Sequence, residues 1–262
     1  MNEPLAITSR DNPLLVRLRK LARAPGAYRK LGAVWIEGQH LCTALRACGR
    51  AAAQALVSQS AWQQPDLREL ARWAAQLAVV PDALFAGVSG LGSPAGIGFV
   101  IQTPARPAVK AGVASVVLDR VQDAGNVGSI LRSAAALGFA QVLAFDGSAA
   151  LWSPKVLRAG MGAHFALDLV EGVALPDLDA LGLPLLAGSS HAELTLDAVA
   201  LPFPCAWVFG HEGQGVAPSL LARCTQTLRI AQPGGQESLN VAAAAAICLY
   251  ATGRRAGGSQ PV

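Results

Sequence analysis

Three short stretches hold the side chains of this chain that could bind or transform a ligand: residues 123 to 132, 209 to 215 and 233 to 240. Among the groups they offer are the amides of Asn126 and Asn240, the guanidinium of Arg132, the carboxylate of Glu212 and the hydroxyl of Ser238, with glycines nearby that let a ligand approach the backbone. The third stretch runs from Gln236-Glu237-Ser238-Leu239-Asn240 into Val241 and a run of alanines ending near Tyr250. Such a polar turn starts a helix, capped by Ser238 or Asn240, and the N–H groups of the first turn can meet the polar end of a ligand. Small side chains then let a second backbone or a ligand come close, which leucine at the same density would prevent. Taken singly, each residue has an ordinary structural reading: Asn126 as a helix cap, Arg132 as a surface cation, the glycines as turn formers. Their conjunction is what points to a site.

The elements that must position these stretches follow from apolar periodicity. In the second half, 113–118, apolar but for Ser115, is a strand of the buried parallel type, and the polar turn 119–125 opens a helix over 126–137. Strands follow at 141–145, 165–170, 183–187, 205–209 and 227–231. Helices fall at 154–160, led by Ser153-Pro154, near 176–181, at 216–223, and after the third stretch. The three polar stretches therefore lie at strand ends, and in open α/β sheets ligands sit outside the carboxyl ends of the strands. No GxGxxG after a strand, GxxxxGK[ST], HExxH or GxSxG occurs, which removes the common dinucleotide, P-loop, zinc-protease and hydrolase signatures.

The first half reads as a smaller α/β unit. Helix-start chemistry from Thr8 to Pro13 precedes Leu14, Leu15, Leu18 and Leu21 at amphipathic spacing. Short strands at 33–36, 55–58, 78–80 and 97–101 alternate with helices at 39–46 and 66–75. Residues 102 to 112, with Pro104 and Pro107, have linker composition, so the expected domains are 1–101 and 113–262.

Charge separates the halves further. Net charge is +4, but residues 1 to 112 hold 13 Lys or Arg against 6 Asp or Glu, whereas residues 113 to 262 hold 8 against 11. Arg10, Arg17, Arg19, Lys20 and Arg23 cluster near the first helix, a one-sided field of the kind that draws a polyanion, although a basic helical face also occurs as a merely solvated one. Hydrophobic residues make up 52% and charged residues 15%, so association through an apolar face is plausible. The five cysteines form no CxxC pair and no zinc spacing, and are expected to be buried thiols in a reducing compartment. No run reaches the ~18 apolar residues of a membrane span and the start has no signal-peptide pattern, so a cytoplasmic protein is expected.

These residues resemble the three motifs of the SpoU (TrmH-like) family of RNA ribose 2'-O-methyltransferases, within the SPOUT superfamily. Asn126 and Arg132 match the first motif at its usual spacing, Gly210-His211-Glu212-Gly213 the second, and Glu237-Ser238-Leu239-Asn240-Val241 the third. The likeness spans residues 113 to 252. More loosely, residues 7 to 101 resemble the family's RNA substrate-binding domain through Glu37-Gly38 and Gly96-Ile97. His211 occupies a variable position of the second motif.

The resemblance implies an α/β fold with a trefoil-knotted, mostly parallel sheet, preceded by a small α/β RNA substrate-binding domain, in a homodimer. It implies S-adenosylmethionine held by backbone at Gly210, Ile230 and Leu239, no metal, and in-line attack of a ribose 2'-hydroxyl on the sulfonium methyl. It gives the help with the proton to Arg132, surrounded by Asn126, Glu212, Ser238 and Asn240. A guanidinium, with a pKa above ~12, is better suited to binding a substrate phosphate and orienting the hydroxyl. Glu212 could pair with Arg132 or orient it, while Ser238 and Asn240 could fix the third loop and reach the ribose. Ribosomal RNA is the expected substrate, since the extra basic domain suits a large structured RNA. Three alternatives stand beside it: transfer RNA as substrate, a noncatalytic RNA-binding maturation protein of the same fold, and a metabolic enzyme acting on a small molecule.

Overall fold

The computed structural model describes residues 4–234 and 238–256, the last three without their side chains; Gln236 and Glu237 of the third stretch lie outside the described residues. Two compact units emerge, 1–105 with 152–165 and 106–151 with 166–262.

The first unit comprises β1 (Leu5–Ala6), α1 (Pro13–Arg23), α2 (Ala27–Leu31), β2 (Ala33–Glu37), α3 (Gln39–Ala47), β3 (Gln54–Ser58), α4 (Gln59–Gln63), α5 (Pro65–Ala71), β4 (Gln76–Val80), α6 (Asp82–Val88) and β5 (Ile97–Gln102). The strands form one mixed sheet in the order β1-β4-β3-β5-β2. β1, β4 and β3 run parallel, and β5 lies antiparallel to both β3 and β2. α1 starts where its sequence signals place it: the Asn12 side chain accepts a hydrogen bond from the Leu14 N–H, and Pro13 takes the first helical position. Leu15, Leu18 and Leu21 go inward, each at 3% exposure or less, and leave the cations on the other faces. Glu37-Gly38 meets Gly96-Ile97 across the sheet, with the Gly38 N–H donating to the Ile97 carbonyl at 2.9 Å.

The second unit begins with β6 (Ser115–Asp119), α7 (Ala124–Ala136) and β7 (Gln141–Phe145). The next helix, α8 (Pro154–Gly160), is capped by Ser153 and belongs to the segment 152–165 that clusters with the first unit. β8 (Asp168–Val173), β9 (Leu185–Gly188), β10 (Leu194–Thr195), β11 (Ala206–Gly210), α9 (Pro218–Leu221), β12 (Gln226–Arg229) and α10 (Val241–Ala256) complete it. The seven strands lie in the order β10-β12-β9-β11-β6-β7-β8, and every pairing between them is parallel. β6 and β11 are buried along their whole length, as strands covered on both faces must be. One side of the core gathers Val117, Leu143, Val170, Ala206 and Val208 from the strands, with Leu181 and Leu220 from the covering helices.

Several expectations need correction. The helix expected over 66–75 ends at Ala71, and α2, α4, α6, β1 and β10 were not expected at all; segments of two to seven residues carry too little of a period to register. The strand expected at 165–170 starts at Asp168, because 163–165 closes a 3-10 turn, and the helix near 176–181 is itself 3-10. α7 is capped by Asp123, whose carboxylate accepts from the Asn126 N–H at 2.7 Å, so Asn126 sits inside the first turn and its side chain is free for other work. Among the cysteines, Cys48 is exposed and Cys224 half-buried. Burial pushes the Cys205 and Cys248 thiols up to about 12, which leaves them protonated and inert at neutral pH. No helix among the described residues is long and apolar enough to cross a membrane.

The alanines of α10 bring it against a second backbone. Its neighbour is α7, and a Cβ on Gly253 would lie 2.9 Å from the Leu137 carbonyl oxygen, so only glycine allows that approach. The Trp207 indole of β11 donates to Thr252 at 2.9 Å and ties the same helix to the sheet.

Candidate active site

A sheet of parallel strands sends all its carboxyl ends to one edge, and the three polar stretches meet there. β6 and β11 are direct neighbours, with Gly210 opposite Asp119. β12 lies beyond β9, two strand spacings or about 10 Å from β11, which leaves a ligand-sized interval between their loops.

Glu212 reaches across this edge to the start of α7. Its carboxylate accepts from the backbone N–H of Gln122 (3.3 Å), the backbone N–H of Asp123 (3.2 Å) and the Asn126 amide (3.1 Å). The Asn126 amide oxygen accepts in turn from the Asn240 amide at 3.0 Å. Asn240 caps α10, its own oxygen accepting from the N–H groups of Ala242 (2.9 Å) and Ala243 (3.3 Å). One chain of hydrogen bonds therefore joins all three stretches, with Asn126 as the middle link. Desolvation alone would raise the Glu212 carboxyl; the Asn126 amide and the surrounding backbone N–H groups outweigh it and hold the group below the ordinary carboxylate value.

A second cluster shapes the Glu212 loop from beneath. Asp119, 4% exposed at the end of β6, accepts from Arg120 through both carboxylate oxygens (2.9 and 3.0 Å) and from the Ala217 N–H at 2.7 Å. Arg120 also donates to the Gln214 side chain at 2.9 Å. Inside the turn, the His211 ring nitrogen Nδ1 accepts from the N–H groups of Gly213 (2.9 Å) and Gln214 (3.2 Å), so the neutral ring carries its proton on Nε2. The chain then folds back on Gly210, where an added Cβ would stand 2.2 Å from the backbone of Gly215 and Val216. Glycine here is a steric requirement. Asp119, Arg120 and Gln214 are positioning residues that the sequence reading missed; the available signal was a carboxylate closing a fully buried strand that is otherwise apolar but for Ser115.

The remaining site residues are less tied. Arg132 is exposed on α7, about 9 Å along the axis from Asn126, and makes no hydrogen bond or ion pair among the described residues. Of the two roles open to Glu212 beside Arg132, pairing or orienting, a direct pair is not formed: Asn126 and two backbone N–H groups claim the carboxylate instead. Ser238 is exposed, Leu239 is exposed and Ile230 half-buried just past β12. Neither the N–H nor the carbonyl of Ile230 or Leu239 is engaged by a described residue.

In the first unit the cations expected to meet a polyanion are partly occupied. Arg17 donates to the Leu31 carbonyl at 3.0 Å and Arg23 to that of Gly87 at 2.8 Å, while Arg19 bonds the carbonyls of Leu15 and Arg10. Lys20 and Arg10 are exposed. Carbonyl bonds leave the charge intact, so the basic face keeps its sign although its side chains are held.

A parallel α/β sheet with three cross-linked loops at its carboxyl edge defines a ligand-binding class, and comparison with known proteins narrows it. The chain matches the model of the SpoU rRNA Methylase family over residues 114–250. It is 32% identical to an uncharacterized tRNA/rRNA methyltransferase of Synechocystis, across 95% of this chain and 94% of that one. It is 34% identical to the Bacillus subtilis 23S rRNA (guanosine(2553)-2'-O)-methyltransferase RlmP over 52% of this chain and 56% of that one. The fold is shared with the SpoU methyltransferase AviRb of Streptomyces viridochromogenes, solved in complex with AdoMet, at a TM-score of 0.85 and 22% identity over 95% of this chain and all of that one. The protein belongs to the SpoU rRNA methylase family.

Proposed function

We propose that this protein transfers a methyl group from S-adenosylmethionine to a ribose 2'-hydroxyl of ribosomal RNA. The observation that carries the reading is the bridge Glu212–Asn126–Asn240, which holds three loops distant in sequence at one edge of the parallel sheet. Gly210, Ile230 and Leu239 lie on the loops after β11, after β12 and before α10, and the unengaged backbone of the last two suits an adenine edge. Bound there, the cofactor supplies an electrophilic methyl on a positively charged sulfur.

The residues of the chain then have to position the hydroxyl and leave its proton a way out. Glu212 is poorly suited to take that proton, since its lowered pKa keeps it ionised and three N–H donors already occupy its oxygens. It acts as an anchor. Arg132, exposed and without a described partner, binds a phosphate of the RNA and turns the ribose toward the methyl. Ser238 and Asn240 line the same edge, and Arg10, Arg17, Arg19, Lys20 and Arg23 of the first unit attract the polyanion.

The homodimer belongs to the same proposal. Ala243, Ile247 and Tyr250 form an exposed stripe along α10, with Ile247 at 40% and Tyr250 at 55% exposure, and a second copy would cover it. Labelled S-adenosylmethionine incubated with protein-free ribosomal RNA and, separately, with transfer RNA tests the activity. Label in ribose of the ribosomal RNA is expected. Label confined to transfer RNA would move the substrate, and none in either would favour a noncatalytic RNA-binding protein. Sedimentation of the full chain as a monomer would remove the dimer.

A further inference from the structure

The first unit contains a cleft of about 420 Å³ that carries none of the three loops. It is lined by Arg17, Gln54, Gln76, Gln102 and Thr103 together with small and apolar residues of the strand ends. The register explains why three glutamines converge. Gln76 of β4 pairs with Gln54 of β3, and Gln54 with Val100 of β5. Gln102 lies two residues beyond Val100, so strand alternation turns all three amides to one face of the sheet, with Gln54 and Gln76 about 4.8 Å apart. None of the three side chains has a hydrogen bond among the described residues. Arg17 points one guanidinium nitrogen at the Leu31 carbonyl and keeps other N–H donors for the cleft.

Three amides and one cation line this cleft together. Neutral amides cannot neutralise phosphates, but each presents a donor and an acceptor side by side, which is the pattern that reads the edge of a nucleobase. The guanidinium suits the phosphate attached to it. Sequence-specific recognition of RNA takes place at unstacked bases in loops and bulges, where such edges are open.

We infer that this cleft receives one unpaired nucleotide of the RNA, with Gln54, Gln76 and Gln102 reading its base and Arg17 holding its phosphate. The inference rests on the RNA reading given above and adds to it a base-specific contact in the first unit. It makes the first unit a reader of sequence as well as a source of charge.

The test measures binding of short oligo(A), oligo(C) and oligo(U) RNA over a range of salt, using the full-length protein and its Q54A/Q76A/Q102A variant. The native protein should prefer one homopolymer. The variant should lose that preference and bind it about tenfold more weakly at every salt concentration, with an unchanged salt slope, because neutral amides release no counterions. Arg17→Ala should do the reverse, reducing the slope while keeping the order of preference. Q76A/Q102A, which changes only exposed side chains at strand ends, guards against misfolding and should reproduce part of the loss. Preference and affinity unchanged in both amide variants would overturn the inference. So would free mononucleotides binding as tightly as the oligonucleotides, since the cleft would then be a small-molecule site. If the native protein bound no RNA at all, the RNA reading itself would fall and this inference with it.

Discussion

Two regions, the carboxyl edge of the parallel sheet and the basic helix α1, use polar side chains in opposite ways. At the edge of the parallel sheet they bond one another across long stretches of chain: Asn126 to Glu212 and Asn126 to Asn240, 86 and 114 residues apart. On α1 the arginines bond backbone carbonyls and leave their charge uncancelled, as Arg17 does to Leu31 and Arg23 to Gly87. The first arrangement fixes the loops against one another, and a displacement reaction needs such fixed geometry. The second stiffens the cations without neutralising them, which capture of a polyanion needs. The sheet edge is built for geometry and α1 for field.

Four experiments sharpen or break that contrast. The largest effect is expected at Arg132, an exposed cation of the second unit with no hydrogen bond or ion pair among the described residues: Arg132→Ala should lower the methyl-transfer rate about 100-fold or more while leaving cofactor affinity nearly unchanged by calorimetry. Equal loss of both would put Arg132 in the cofactor site. Next comes Gly210→Ala, whose Cβ would stand 2.2 Å from the Gly215 and Val216 backbone. It should cost about 1–3 kcal/mol in thermal unfolding and weaken cofactor binding, because the loop that carries Glu212 has to move. A native-like melting temperature with full cofactor affinity would show that the loop yields freely.

A smaller effect concerns the field. Replacing Arg17, Arg19, Lys20 and Arg23 together by Ala should weaken RNA binding and make the salt dependence shallower by about 0.7–0.9 in log–log slope for each phosphate no longer neutralised, with cofactor affinity unchanged. Changing the three arginines to Lys should keep most of the slope, since charge and not the carbonyl bond carries it. An unaltered slope in the alanine variant would reduce the basic helix to a solvated face. The smallest effect is expected at Glu212. Its folded-state pKa lies below the ordinary value, so its contribution to stability is present above the unfolded pKa and is lost as pH falls through the folded one. Melting temperature against pH should therefore drop on the acid side, and Glu212→Gln should flatten that limb. Identical limbs for the two proteins would mean that the three N–H donors contribute nothing specific to the ionised form.

Much of the architecture was legible in the chain itself. β2, β3, β6, β7 and β11 are found within two residues of where their apolar runs place them, and α1, α8 and α10 begin at the Asn12, Ser153 and Asn240 caps. Local chemistry decides such features: a hydrophobic run has one buried solution and a capping side chain bonds an N–H two or three residues away. The three polar stretches stood out by their composition beside glycines, and the candidate site residues within them could be named because those stretches resemble the motifs of a known family. Their partners could not be named. Asp123 took the capping role that the sequence offered to Asn126, which freed Asn126 to bridge Glu212 and Asn240; Asp119 and Arg120 became the foundation of a loop nearly a hundred residues away. Strand order decides which loops become neighbours, and order is set by non-local packing of the whole sheet, which no window of sequence contains. The residues that could act were written in the chain; which of them hold each other, and which are left free to meet a substrate, was decided by the tertiary fold.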